Sequence, residues 1–176
     1  MTPPPLHVMW QTAAGDLLHG FDNANQKWVD QELTLGLAFP DAMADAQTVL
    51  LRSSASFLQS AEILINVRIY LCGDPDTVQT LSAQWPASGG GLDISFDNGV
   101  TWLRFLAAGE GLAGVGDVSD SSTWIPLPGS AISSVAVNGQ IGPNDVASML
   151  LRLQVPPGER AFGVYRMQLG VDFDVL

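Results

Sequence analysis

Apolar and polar positions alternate with a period of two along several stretches of the chain, the pattern of strands that lay one face on a core. AEILINVRIYLC sets Ile63, Ile65, Val67, Ile69 and Leu71 on one face, with Leu64, Asn66, Arg68, Tyr70 and Cys72 on the other. QELTLGLAFP (31–40) alternates in the same way through Leu33, Leu35, Leu37 and Phe39, while TVLLRSSASF and SMLLRLQVP predict two more strands. In LDISFDNGVTWLRF, Leu92, Ile94 and Phe96 alternate with Asp93, Ser95 and Asp97, and Asn98-Gly99 supplies the positive φ values of a tight hairpin turn. The last segment points Tyr165, Met167, Leu169, Val171, Phe173 and Val175 one way and Arg166, Gln168, Asp172 and Asp174 the other. About eight such runs without a long helical period predict an all-β fold: an antiparallel β-sandwich, Ig-like or jelly-roll, with long loops and little helix.

Domain organisation follows from the interruptions. Thr2-Pro3-Pro4-Pro5 must be extended, so residues 1–15 are expected to form a Pro-rich N-terminal arm ahead of a single sandwich domain over 16–176. Gly89-Gly90-Gly91 frees the chain before the hairpin, and Ala107 to Ser122 is glycine-rich and acidic enough to be a long exposed loop. No internal repeat or shift of composition marks a second domain. A chain of 176 residues that is 47% hydrophobic can bury a core without disulfides or metals.

Charge narrows the partners. Lys27 and six scattered arginines stand against 18 acidic residues, for a net charge of -11, so no basic patch suited to nucleic acid can be assembled. The N-terminus has no basic region followed by an apolar one, and the apolar runs are too short to span a membrane as helices. The expectation is synthesis in a host cytoplasm, with no signal peptide and no membrane partner. Cys72 is the single cysteine and lies in an apolar run, which predicts a buried structural thiol.

Candidate chemistry is sparse. His7 and His19 are the only histidines, and neither sits in a recognisable catalytic context. No nucleophile elbow, P-loop, C-x-x-C or H-E-x-x-H is present. Asp117 and Asp120 lack the spacing and distal Glu of an EF-hand, so an acidic loop is expected there in place of a calcium site. The expectation is a protein that is not an enzyme, with no catalytic residue, cofactor or metal.

One local motif is specific. Ser95, Asp97, Gly99, Thr101 and Trp102 fit the S-x-D-x-G-x-T-W pattern, which resembles the Asp-box hairpin of sialidases and other glycan-handling β-propellers. Short polar side chains there can bond the turn's own backbone while Trp102 packs on the core, so a structural turn is expected. The closing half of the chain, through Arg152, Val155, Pro156, Gly158, Gly163, Tyr165, Leu169, Val171 and Phe173, is similar to the endings of small virion proteins of tailed bacteriophages. That resemblance implies a structural protein of a tail, baseplate or capsid decoration, located in the virion, whose partners are itself and other virion proteins. Trp10, Trp28 and Trp124 are candidate interface anchors. The alternative is a carbohydrate-binding sandwich in which Trp85, Trp102 and Trp124 offer rings to a glycan.

Overall fold

The computed structural model describes residues 8–22, 24–33, 35, 45–53, 63–73, 91–107, 125–128, 139–142, 145–154 and 167–176. Ten strands run through them: β1 (Val8–Thr12), β2 (Leu17–Asp22), β3 (Lys27–Asp30), β4 (Gln47–Ser53), β5 (Leu64–Gly73), β6 (Gly91–Ser95), β7 (Leu103–Ala107), β8 (Ile125–Pro126), β9 (Val146–Gln154) and β10 (Met167–Val175). Seven form one sheet in the order β3-β2-β1-β4-β9-β6-β7, and three form another in the order β10-β5-β8. Every pairing is antiparallel and no helix occurs among the described residues. The fold is the expected all-β antiparallel sandwich.

One core joins the two sheets. Leu51, Leu92, Ile94 and Met149 come from the larger sheet, Leu64, Val67 and Ile69 from the smaller, and all are almost fully buried in the same cluster. Burying each such side chain contributes about 1.5–3 kcal/mol, which is what holds the sheets face to face. Leu127 and Ile141 complete the cluster from short segments bonded to β5, where Leu64 and Ile141 exchange backbone hydrogen bonds of 2.8 and 3.0 Å.

The arm expected over residues 1–15 is corrected at its second half. Val8–Thr12 is an interior strand between β2 and β4, because Val8 and Trp10 alternate into the core and their backbone pairs on both sides. Residues 1–7, with the Pro run and His7, lie outside the described residues. Of the strand expected over 31–40, Gln31–Leu33 and Leu35 are described and are not in a ladder, although Leu33 and Leu35 still pack against the core; residues 34 and 36–40 lie outside the described residues.

Alternation breaks inside β5. Asn66 is exposed with φ 54, and the register against β10 shifts between Asp172 and Asp174, the signs of a β-bulge. The bulge lets Leu64 and Val67 both reach the core, which strict alternation forbids. Asn66 Nδ2 donates to Asp174 Oδ2 at 2.8 Å, and Arg68 pairs with Asp172 beside it. Further along the same pair of strands Tyr70 lies opposite Gly170, and a Cβ there would fall within the Tyr70 ring. Gly170 thus makes room for an aromatic cover on the β5–β10 ladder.

Candidate functional site

The Asp-box forms a closed polar ring at the tip of the β6–β7 hairpin. Ser95 ends β6 and is almost fully buried; its hydroxyl donates to Asp97 Oδ1 at 2.8 Å and accepts from the Gly99 N–H at 2.9 Å. Asp97 Oδ1 also accepts from the Thr101 N–H at 2.8 Å. Trp102 closes the turn by donating its indole N–H to the Gly99 carbonyl at 3.0 Å. Asn98 and Gly99 carry φ values of 58 and 85, the left-handed pair that such a turn needs. These bonds hold the Asp97 carboxyl at a pKa of about 2, chiefly through the Thr101 backbone N–H, then the Thr101 and Ser95 hydroxyls. All five motif residues come together in this turn, although Trp102, expected on the core, is not among the residues that pack against it and lies under Arg152 instead.

Beneath the turn lies a charge cluster that the sequence pattern did not reveal. Asp93 occupies a polar slot of the alternation, yet it is buried, with Arg104 Nε at 2.7 Å from one oxygen and Arg152 Nε at 3.2 Å from the other. Asp93 pairs with Arg104 across β6–β7 and with Arg152 across β6–β9, so both arginines flank it on one sheet face. The Arg152 guanidinium then stacks over Trp102, 3.8 Å from the ring centroid. The signal available in the sequence was six scattered arginines among many acids, which gives no register.

At the opposite end of the sheet, β2 and β3 carry an aromatic group on the surface. Trp28 is 42% exposed, with Phe21 edge-on at 5.8 Å and His19 tilted at 6.2 Å between ring centroids. His19 Nδ1 lies 3.3 Å from Asp30 Oδ1, whose side chain is 85% exposed. The turn between these strands is tied by Asp22, which accepts from the Ala24 and Asn25 N–H groups at 2.9 and 3.1 Å and from Asn25 Nδ2 at 2.6 Å. The Asn25 side-chain bond above all keeps the Asp22 carboxyl below its ordinary value.

The tryptophans have separate fates. Trp10, expected as an interface anchor, is a core residue on β1, because its position alternates inward with Val8, whereas Trp28 is exposed. Trp102, expected among the glycan rings, is half-buried and covered by Arg152. Trp85, Trp124, Asp117 and Asp120 lie outside the described residues, as does nearly all of the glycine-rich loop, and the Cys72 side chain is likewise not described. A surface depression of about 390 Å³ is lined by Thr12, Asp16, Asp22, Lys27 and Glu32 among others, and His19 does not line it. Among the described residues no group of three or more His, Cys, Asp or Glu side chains is arranged to hold a metal, and no helix could cross a membrane. Comparison with known families, curated proteins and solved structures finds no match to this chain.

Proposed function

We propose that this chain is a non-enzymatic structural component of a tailed-phage particle, assembling with itself or with neighbouring virion proteins, in the tail or baseplate in preference to the capsid surface. The observation that carries the assembly reading is Trp28, an exposed aromatic side chain on β3, the last strand of the larger sheet. Sheet edges offer unpaired backbone groups, and an aromatic anchor beside them is the usual core of a protein interface. Repetition in a symmetric particle turns modest contacts of this kind into stable ones. The likeness of the closing half to virion proteins supplies the setting, and the net charge of -11 directs the contacts away from packaged nucleic acid.

Light scattering of the purified chain over a concentration series tests the reading. The expected result is a multi-chain species at high concentration that the Trp28→Ala variant no longer forms, its folding unchanged. A monomer at every concentration that also fails to associate with other particle proteins would overturn it.

The second reading is a carbohydrate-binding sandwich, favoured by the exposed Trp28 ring beside the polar His19–Asp30 pair. Binding on a glycan array that disappears in Trp28→Ala would select it over self-assembly.

A further inference from the structure

We infer that the Asp-box ring guards Asn98-Gly99, a latent site of spontaneous covalent modification, by immobilising the one backbone nitrogen that the modification needs. Asn98 is exposed and is followed by glycine, the neighbour that least hinders attack on an asparagine side chain. In that reaction the Gly99 nitrogen loses its proton and attacks Asn98 Cγ, forming a five-membered imide and releasing ammonia. Water then opens the imide to aspartate or isoaspartate, so one amide is exchanged for one carboxylate and the turn gains a negative charge. The hairpin favours this pair, because each residue occupies the left-handed region. The residues that suit the turn are thus also a vulnerable pair.

Three features oppose the attack. The Gly99 N–H is already donated, at 2.9 Å, to Ser95 Oγ. Ser95 sits almost fully buried at the end of β6, so its oxygen does not swing away with the turn. Its own hydrogen is committed to Asp97 Oδ1 at 2.8 Å, which leaves the hydroxyl facing Gly99 as an acceptor and unable to stabilise a deprotonated nitrogen. The Gly99 carbonyl is held as well, by the Trp102 indole at 3.0 Å. Attack thus needs the turn to open first. The protection follows from the hairpin alone and does not depend on the assembly reading.

The test is mass spectrometry of the full-length protein incubated at mildly alkaline pH, with Asn98 followed by its one-dalton gain and by isoaspartate detection. A synthetic peptide spanning the turn gives the unguarded rate. The chain supplies an internal reference in Asn138-Gly139, where the Gly139 N–H is bonded to the Leu127 carbonyl at 2.8 Å and to no residue of the Asp-box. Native Asn98 should react at least tenfold more slowly than the peptide. Ser95→Ala should speed Asn98 by about fivefold, the open-state gain expected from one lost hydrogen bond, with Asn138 unchanged. Should Ser95→Ala not fold, Thr101→Ala loosens the same turn without touching the core, and it should move Asn98 in the same direction by less. Native and peptide rates that agree, a loosened turn that leaves Asn98 unmoved, or acceleration of both asparagines together would each overturn the inference.

Discussion

Two hairpins close opposite ends of the seven-stranded sheet, and both enter their turns through the same tripeptide, Phe21-Asp22-Asn23 in one and Phe96-Asp97-Asn98 in the other. In each an aspartate accepts hydrogen bonds of the turn and is held more acidic by them, Asp22 chiefly by the Asn25 side chain and Asp97 chiefly by the Thr101 backbone N–H. They differ in what lies behind the aspartate. Gly20 precedes Phe21, whereas the buried Ser95 precedes Phe96 and ties the turn to the end of β6. Among the described residues the hydrogen bonds of Asp22 run to Ala24 and Asn25, within the turn. The Asp97 ring continues through Trp102 to Arg152 and so to Asp93 in the sheet. Equivalent turn chemistry therefore gives an anchored hairpin at one end and a surface hairpin at the other. The anchored hairpin covers Trp102 with a guanidinium, and the surface hairpin leaves Trp28 exposed.

The largest effect that would test this contrast belongs to Asp93. Asp93→Ala leaves Arg104 and Arg152 without their shared carboxylate and should cost about 3 kcal/mol of stability in urea unfolding. A loss below about 1 kcal/mol would mean that the charge cluster does not anchor the hairpin. Ser95→Ala should follow at about 1–2 kcal/mol, since it strands the Gly99 N–H and removes a donor from Asp97. Gly99→Ala should cost about 1 kcal/mol, because an alanine is strained at a φ of 85 even though a Cβ meets only the Leu150 and Trp102 side chains, at 3.4 and 3.6 Å. At the other end, Asp22→Ala should leave the urea midpoint nearly unchanged, because its bonds are confined to an exposed turn. A drop matching that of Ser95→Ala would erase the distinction between the hairpins.

The two ends were unequally legible in the sequence for the same reason. The Asp-box is written within eight residues, and its glycine, hydroxyls and carboxylate fix the turn locally, so its hairpin could be read directly. The β2–β3 hairpin has strands of six and four residues and a turn without glycine, in which Gln26 has φ 52. Nothing in LLHGFDNANQKWVD alternates long enough to show it. Alternation puts Asp93 in a polar slot of β6 but cannot say that arginines on the flanking strands bury it. The bulge at Asn66 escaped for a related reason: a single left-handed residue resets the alternation without altering the composition. Alternation did identify β4, β5, β9 and β10, long strands whose inward side chains dominate their pattern. The exposed aromatic group was half legible, since the sequence named Trp28 but could not separate it from the buried Trp10.

The smallest effect, and the one that resolves the hairpins most finely, is the titration of their aspartates. Both carboxyls are more acidic folded than unfolded, so the turn bonds to the charged form stabilise the fold fully above the ordinary value of 3.8 and are lost as pH falls through the folded value. For Asp97 that window runs from 3.8 down to about 2. Carboxyl-carbon NMR should therefore find Asp97 titrating near 2 in the native chain and closer to 3.8 in Ser95→Ala, while Asp22 keeps its native midpoint in that variant. Asn25→Ala should do the reverse, raising Asp22, whose main partner is that side chain, and leaving Asp97 in place. Independent shifts would show two self-contained turns at the ends of one sheet. An Asp97 midpoint near 3.8 in the native chain would mean that the ring opens in solution, and the anchored hairpin would then be no different in kind from the surface one.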